Sequence, residues 1–356
     1  AVYRDGLGAT RDPAVELQLP EFLAEPLAAL DPDRHWPIGS SSLLATTAKD
    51  VDAALLAAAI NRPFEEEGGT HAIVVIHRGE LIFERYAPGY TLDTPLMGWS
   101  LTKSVTATLA GRLVKEGRLD VDAPAPVAEW EGDSRRSITL DDLLRMRSGL
   151  AFHQDHSTPF CDSLQMLFVS KDCAGYARDM PLAGEPGETW MYSDGTANIV
   201  AGIVSAAFSD DLIERLQAPR KLLFGPLGMT TAFIGVDGAG NFVGSSFMYA
   251  SARDWARFGL LYAQDGVWDG ERLLPEGWAS YVANPPQDSA ERGYGAHFWR
   301  YDNGPIRGVY FARGYQGQYV FVDPLRDVVL VRLGVELVEF DGRAFAEATL
   351  AAFPSR

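Results

Sequence analysis

The strand-forming runs of this chain lie at its two ends. Residues 71–77 and 80–86 are rich in β-branched and aromatic side chains and flank the turn Arg78-Gly79, the pattern of a hairpin. Strand signals return only from Tyr294 onward, at 294–299, 309–311, 318–323 and 328–333, the last two joined through Asp323-Pro324-Leu325-Arg326-Asp327. Helical patterns fill the interval. Asp50 opens one that ends at Asn61-Arg62-Pro63. Others cover 140–146 behind Thr139, 162–169, 196–208, 213–224 and 251–264, and one over 344–353 closes the chain. The expected class is α/β (α+β): an antiparallel sheet built from both chain ends, helices packed on it, and a mostly helical domain inserted in the middle. The expected boundaries are an irregular N-terminal arm over 1–48, marked by Pro20, Pro26, Pro32, Pro37 and Ser40-Ser41-Ser42, then an α/β domain from 49–118 and 249–356. A helical domain over 119–248 completes it, with the functional cleft between the two.

Charge and composition narrow the partners. A net charge of −17 argues against nucleic acid and anionic membrane surfaces. Apolar content of 47% with 22% charged residues fits a soluble globular protein, and no apolar run approaches the roughly 18 residues of a membrane span. Cys161 and Cys173 fit a disulfide or two buried thiols equally well. The sequence begins at Ala1 without a methionine, so a trimmed form is expected, with a periplasmic or secreted setting favoured over a cytoplasmic one. Oligomeric state is not specified.

The chemistry concentrates at Gly98-Trp99-Ser100-Leu101-Thr102-Lys103, at the start of a helical pattern. Residues three apart share a helix face, so the Ser100 hydroxyl and Lys103 amine stand side by side. A helix N-terminus favours developing negative charge, and burial disfavours a charged lysine; together these suit a serine nucleophile activated without histidine. With 20 serines and five lysines, chance placement gives about 0.3 such spacings, so the pair alone is balanced between nucleophile and helix cap.

Two later stretches break the tie. Tyr192-Ser193-Asp194 follows a Pro-Gly turn and precedes a helix, and an ammonium beside a tyrosine favours its phenolate, the form that can take a proton from Ser100 Oγ. Arg313-Gly314-Tyr315-Gln316-Gly317-Gln318 enters a strand through glycines that admit close backbone approach. In order and separation the three resemble the serine β-lactamase and penicillin-binding protein superfamily, with its Ser-x-x-Lys, Ser/Tyr-x-Asn and Lys-Thr-Gly elements. The resemblance is strongest to the class C β-lactamase-like hydrolases, which include esterases and 6-aminohexanoate-dimer hydrolases. It extends through Leu143-Leu144-Arg145-Met146-Arg147-Ser148-Gly149-Leu150, Gly225-Pro226-Leu227-Gly228-Met229 and Ser251-Ala252-Arg253-Asp254-Trp255-Ala256-Arg257-Phe258-Gly259, from about residue 72 to 333.

The resemblance implies that Ser100 is acylated, that Lys103 and Tyr192 transfer protons, and that the N–H groups of Ser100 and Gln318 form the oxyanion hole. It places Asp194, Tyr315, Gln316 and Gly317 at the substrate. Two departures matter: Asp194 stands for the family's asparagine, and Tyr315 for its cation. An acid there cannot donate an amide N–H but can hold Lys103 charged. Without the cation, a substrate carboxylate loses its anchor, with Arg313 the one candidate to compensate.

The expected function is therefore a serine hydrolase acting on a small ester or amide, carboxylesterase or 6-aminohexanoate-dimer hydrolase-like. The alternatives are a β-lactamase or D-alanyl-D-alanine carboxypeptidase-like protein, and a non-catalytic scaffold on the same fold. No Gly-x-Ser-x-Gly elbow and no glycine-rich phosphate loop occurs. His153 and His156 are the only close histidines and lack a third ligand at sensible spacing, so no metal and no cofactor are expected.

Overall fold

The computed structural model describes residues 2–4, 8–10, 27–41, 44–45, 49–67, 69–286, 293–337 and 339–355. Its centre is a six-stranded antiparallel sheet of β1 (Thr70–His77), β2 (Glu80–Tyr86), β3 (Trp299–Arg300), β4 (Tyr310–Gly314), β5 (Gln318–Asp323) and β6 (Val328–Gly334), in the order β3-β4-β5-β6-β1-β2. The chain ends meet where β6 pairs with β1, Val331 opposite Val74. The β1–β2 turn uses Arg78 and Gly79 at φ 52° and 82°, the left-handed pair that matches hairpin twist.

Five helices frame the site and the sheet: α1 (Ala53–Arg62), α2 (Leu101–Lys115), α3 (Asp194–Phe208), α4 (Ala252–Ala263) and α5 (Gly342–Leu350). Side chains alternate across a strand, so the sheet has two buried faces. Ile73, Val75, Phe321 and Leu330 pack with Leu56 and Ile60 of α1 and Phe345 and Leu350 of α5. Val74, Ile76, Val320, Val322, Val329 and Val331 face the other way, into a core shared with Leu101, Val105 and Leu109 of α2 and Trp255, Phe258 and Leu261 of α4. Each such side chain contributes about 1.5–3 kcal/mol on burial. Helix α4 sits low on the sheet because Gly259 has no Cβ; one would lie 2.5 Å from Val329 Cγ1.

The middle of the chain is mostly helical, with Leu140–Leu144 started by a Thr139–Asp142 capping box, then Asp162–Phe168, Cys173–Arg178, α3 and Leu212–Pro219. Several expectations shift. Asp52, not Asp50, caps α1, accepting from the Ala54 and Leu55 N–H groups, while Arg78 binds the Asp50 carboxylate at 2.7 Å. The helix expected over 213–224 changes at Pro219, which lacks an N–H, into a wider π turn at Arg220–Phe224. The strand expected over 294–299 is reduced to a bridge at Tyr294 and the strand Trp299–Arg300, since His297 sits at φ 57° and breaks the extended run. A three-stranded sheet of Leu96–Met97, Met248–Ala250 and Phe233–Ile234 has strands too short for an alternation signal.

The described part of the expected N-terminal arm docks on α4. Trp36 is buried, Arg257 donates to the Pro37 and Gly39 carbonyls, and Arg253 donates to those of Ser40 and Ser41. Most of the remainder of that arm, including Pro20, Pro26 and Ser42, lies outside the described residues. Cys161 and Cys173 are both buried thiols, unlinked. Among the described residues no single helix is long and apolar enough to cross a membrane.

Candidate active site

The chain turns into α2 through Gly98-Trp99-Ser100. A Cβ on Gly98 would lie 2.6 Å from the Trp255 ring, so the loop packs there only as glycine. Trp99 takes φ 50°, a left-handed conformation costing a bulky residue about 1–3 kcal/mol and found mainly where surroundings enforce it. Ser100 is the N-cap residue by position, yet its side chain makes no capping bond. Thr102 Oγ1 instead ties the turn together, donating to the Trp99 carbonyl at 2.7 Å and accepting from Met248 N at 3.1 Å.

Ser100 Oγ accepts from Lys103 Nζ at 3.0 Å. Lys103 is 1% exposed, and Nζ also donates to Asp194 Oδ1 at 2.5 Å and to the Ser245 carbonyl at 3.0 Å. Three acceptors match the three N–H bonds of an ammonium. Burial opposes that charge, but the Asp194 carboxylate and then Tyr192 outweigh it, and the Lys103 pKa rises above 10.5. Burial likewise opposes the Asp194 charge, and Lys103 with Ser163 and Gln154 overcomes it, so its pKa falls below 3.8. The pair is an ion pair. A lysine neutralised by burial, the reading drawn from its helical position, is not what the fold builds.

Asp194, expected at the substrate, is instead seated beneath the lysine and 4% exposed. Its second oxygen accepts from Ser163 Oγ and from Gln154 Nε2 (2.7 Å), and its N–H donates to Gln154 Oε1 at 2.9 Å. His156 Nε2 stands 4.0 Å from the same oxygen. Capping of α3 falls to Ser193, which accepts from Thr196 N.

Tyr192 joins Ser100 and Lys103, its ring centroid 4.9 Å from Nζ. It stacks on Trp299 (5.8 Å, 30°) and meets Tyr294 edge-on (5.9 Å, 90°), so its ring is held from two sides. Beneath α2, His297 hydrogen-bonds through Nδ1 to the Lys103 carbonyl at 3.0 Å, and its carbonyl accepts from Ser104 Oγ at 2.6 Å. Burial pushes its pKa down to about 3, so it is a neutral strut.

The third stretch differs from expectation. Gln318 opens β5, paired with Gly314 of β4, and its side-chain amide is spent on the Tyr315 and Gln316 carbonyls and the Gly334 backbone. The backbone that meets the Ser100 loop belongs to Gly314 and Tyr315. A Cβ on Gly314 would lie 2.1 Å from the Gly98 carbonyl oxygen, and the Tyr315 ring packs edge-on against Trp99 at 5.6 Å. Gln316 and Gly317 form the turn behind, at φ 61° and 74°. Arg313 pairs with Tyr319 and lies over its ring, on the α1/α5 face rather than the Ser100 face. It does not replace the missing cation, because adjacent strand positions point to opposite faces and Ala312, not Arg313, faces α2.

The Beta-lactamase family model matches residues 60–347. The chain belongs to this family. It is similar to the 6-aminohexanoate-dimer hydrolase of Paenarthrobacter ureafaciens, 26% identical over 90% of this chain and 81% of that protein. Among solved structures, a putative 6-aminohexanoate-dimer hydrolase from Bacillus anthracis superposes with TM-score 0.71 at 20% identity, covering 93% of this chain and 90% of that one. A family VIII carboxylesterase superposes with TM-score 0.67 at 16% identity, over 86% and 99%.

For a Beta-lactamase family chain, the residues that sequence reasoning missed are those holding the ion pair. Ser163, Gln154 and Ser245 carry no motif of their own. Asn198, one helical turn after Asp194, fixes the Ser245 loop by accepting from its N–H at 3.2 Å and donating to its Oγ at 3.1 Å. The i, i+4 spacing from Asp194 was the only signal available for it.

Proposed function

We propose that this protein is a serine hydrolase that cleaves a small ester or amide through an acyl-enzyme on Ser100. The observation that carries the reading is the Ser100 hydroxyl, free of any capping role and hydrogen-bonded to a buried ammonium at 3.0 Å. An ammonium has no lone pair, so Lys103 is not the base. Tyr192, beside that ammonium, takes the proton in its phenolate form as Ser100 Oγ attacks the carbonyl carbon. The phenol then returns the proton to the departing alkoxide or amine, and water repeats the sequence on the acyl-enzyme. The N–H groups of Ser100 and Tyr315 are the candidates for stabilising the oxyanion; the contact of Gly314 with the Gly98 carbonyl supports Tyr315 in place of Gln318.

A carboxylate-bearing β-lactam fits this site less well: with Tyr315 following the glycine of the third element, the cation's place falls on Ala312, and Arg313 faces away. The similarity to a protein named 6-aminohexanoate-dimer hydrolase supports the ester or amide reading. Incubation with an aryl fluorophosphonate followed by peptide mass spectrometry tests it: an adduct on Ser100, absent in Ser100→Ala, is expected. Turnover of nitrophenyl esters beside a chromogenic cephalosporin separates the readings, and preferential cephalosporin cleavage would reverse the assignment. No adduct and no turnover would leave a non-catalytic scaffold.

A further inference from the structure

The Tyr315–Gly317 turn has a strained backbone at the surface. Tyr315 at its start is 64% exposed, and Gln316 and Gly317 are consecutive left-handed residues, the first of them not glycine. Yet all three of its carbonyls are held from inside the sheet. Gln318 Nε2 shares its two N–H bonds among the Tyr315 carbonyl at 3.1 Å, that of Gln316 at 3.0 Å and that of Gly334 at 2.5 Å. Arg332 Nη1 donates to the Gln316 carbonyl at 3.0 Å and to that of Gly317 at 2.9 Å.

Both holders are themselves fixed. Gln318 Oε1 accepts from Gly334 N at 2.9 Å. The Arg332 guanidinium, fully buried, lies 4.2 Å from the centroid of the Phe340 ring, and it donates through Nε to Thr70 Oγ1 at 3.2 Å and through Nη2 to the Val335 carbonyl at 3.3 Å. Burying a charged side chain is costly unless its N–H groups are satisfied, and the turn's carbonyls supply two of those acceptors, which ties the turn to the guanidinium. The residue whose shape is kept is Tyr315, next to the Ser100 loop.

We propose that Gln318 and Arg332 are positioning residues for acyl transfer: a clamp behind the β4–β5 turn that fixes the Tyr315 backbone and so the aim of its N–H. The proposal rests on the reading of Ser100 as nucleophile and the Tyr315 N–H as oxyanion donor. Sequence reasoning placed Gln318 in the oxyanion hole itself; the clamp gives it an indirect part in the same task. Removing an oxyanion donor outright lowers kcat by about 10²–10³, so a donor left in place but loosely aimed loses a fraction of that.

The test uses the full chain and two variants, Gln318→Met and Arg332→Lys. The first removes the amide at similar volume; the second keeps the charge but not the planar fork that spans two carbonyls. Nitrophenyl ester kinetics are measured beside the inhibition constant of an aryl boronic acid, which forms a tetrahedral adduct on serine, and thermal melting reports folding. In folded variants kcat is expected to fall by about ten- to a hundredfold with KM changed by less than about threefold. Boronate affinity is expected to weaken in step with kcat/KM, a correlation that a general loss of stability does not produce. Wild-type kcat and boronate affinity in a folded variant would overturn the clamp. If Arg332→Lys does not fold, Gln318→Met, which leaves the guanidinium in place, decides the matter alone. A wild-type chain with neither turnover nor a Ser100 adduct removes the hydrolase reading and the clamp with it, whereas an active, labelled wild type with unaffected variants removes the clamp only.

Discussion

At Lys103 the question is which of two opposing effects wins, because burial alone would strip its proton. Asp194 reverses the outcome, and Gln154 and Ser163 make that carboxylate a committed anion. The sign of the pH dependence follows. Asp194 has a lowered pKa, so its contribution is complete above 3.8 and is lost as pH falls through the lowered value; Lys103 has a raised one, so its contribution is complete below 10.5 and is lost as pH rises through the raised value. Across the neutral range the pair is intact. Asp194→Asn removes the anion and leaves burial as the leading influence on Lys103. The variant is expected to lose kcat/KM on the alkaline side at a lower pH than the wild type does; coincident profiles would contradict the ion-pair account. The same variant is expected to lose up to about 3–5 kcal/mol in urea unfolding, less whatever Lys103 recovers by shedding its proton. Tyr192→Phe keeps the ring on Trp299 and removes only the hydroxyl, so kcat is expected to drop by about 10²–10⁴ with little change in melting temperature; retention of kcat would give the proton to another group.

At the scale of elements, the site depends on how closely the end of β4 approaches the start of α2. Gly314 touches backbone, the Gly98 carbonyl, which cannot rotate aside as a side chain can. Gly314→Ala is expected to push the Ser100 loop off the strand, at about 1–3 kcal/mol of stability and about 10²-fold or more in the rate of acylation by a fluorophosphonate. Stopped-flow labelling beside a thermal melt measures both, and unchanged acylation would show that this contact does not set the site. The same junction explains the misplaced oxyanion residue. The run Ala312-Arg313-Gly314-Tyr315-Gln316-Gly317-Gln318 contains two glycines three residues apart, and either suits a close backbone approach. Only the pairing of Gly314 with Gln318 places the first against Ser100 and the second in the turn behind. Arg313 was misread for a related reason: its face depends on where the strand ends and the turn begins, and the strand runs to Gly314.

Over the whole molecule, β6 is inserted between β5 and β1, and α5 covers the face that also receives α1. Deleting residues 340–356 uncovers Ile73, Phe321 and Leu330 together, and the truncated chain is expected to be recovered as aggregate by size-exclusion chromatography; a soluble, monodisperse product would show that α5 is dispensable. The sequence by itself determined the class of fold, because β-branched runs at both ends and helical periods between them are local patterns. It also determined the Ser100–Lys103 pair, whose spacing is set by helix geometry, and the presence of Tyr192. Tertiary structure decided the charge on Lys103, since the carboxylate and carbonyl that hold it lie 91 and 142 residues away in the chain. It also decided which glycine reaches the nucleophile and which face Arg313 takes. These are matters of burial, register and partners distant in sequence, and no local spacing carries them.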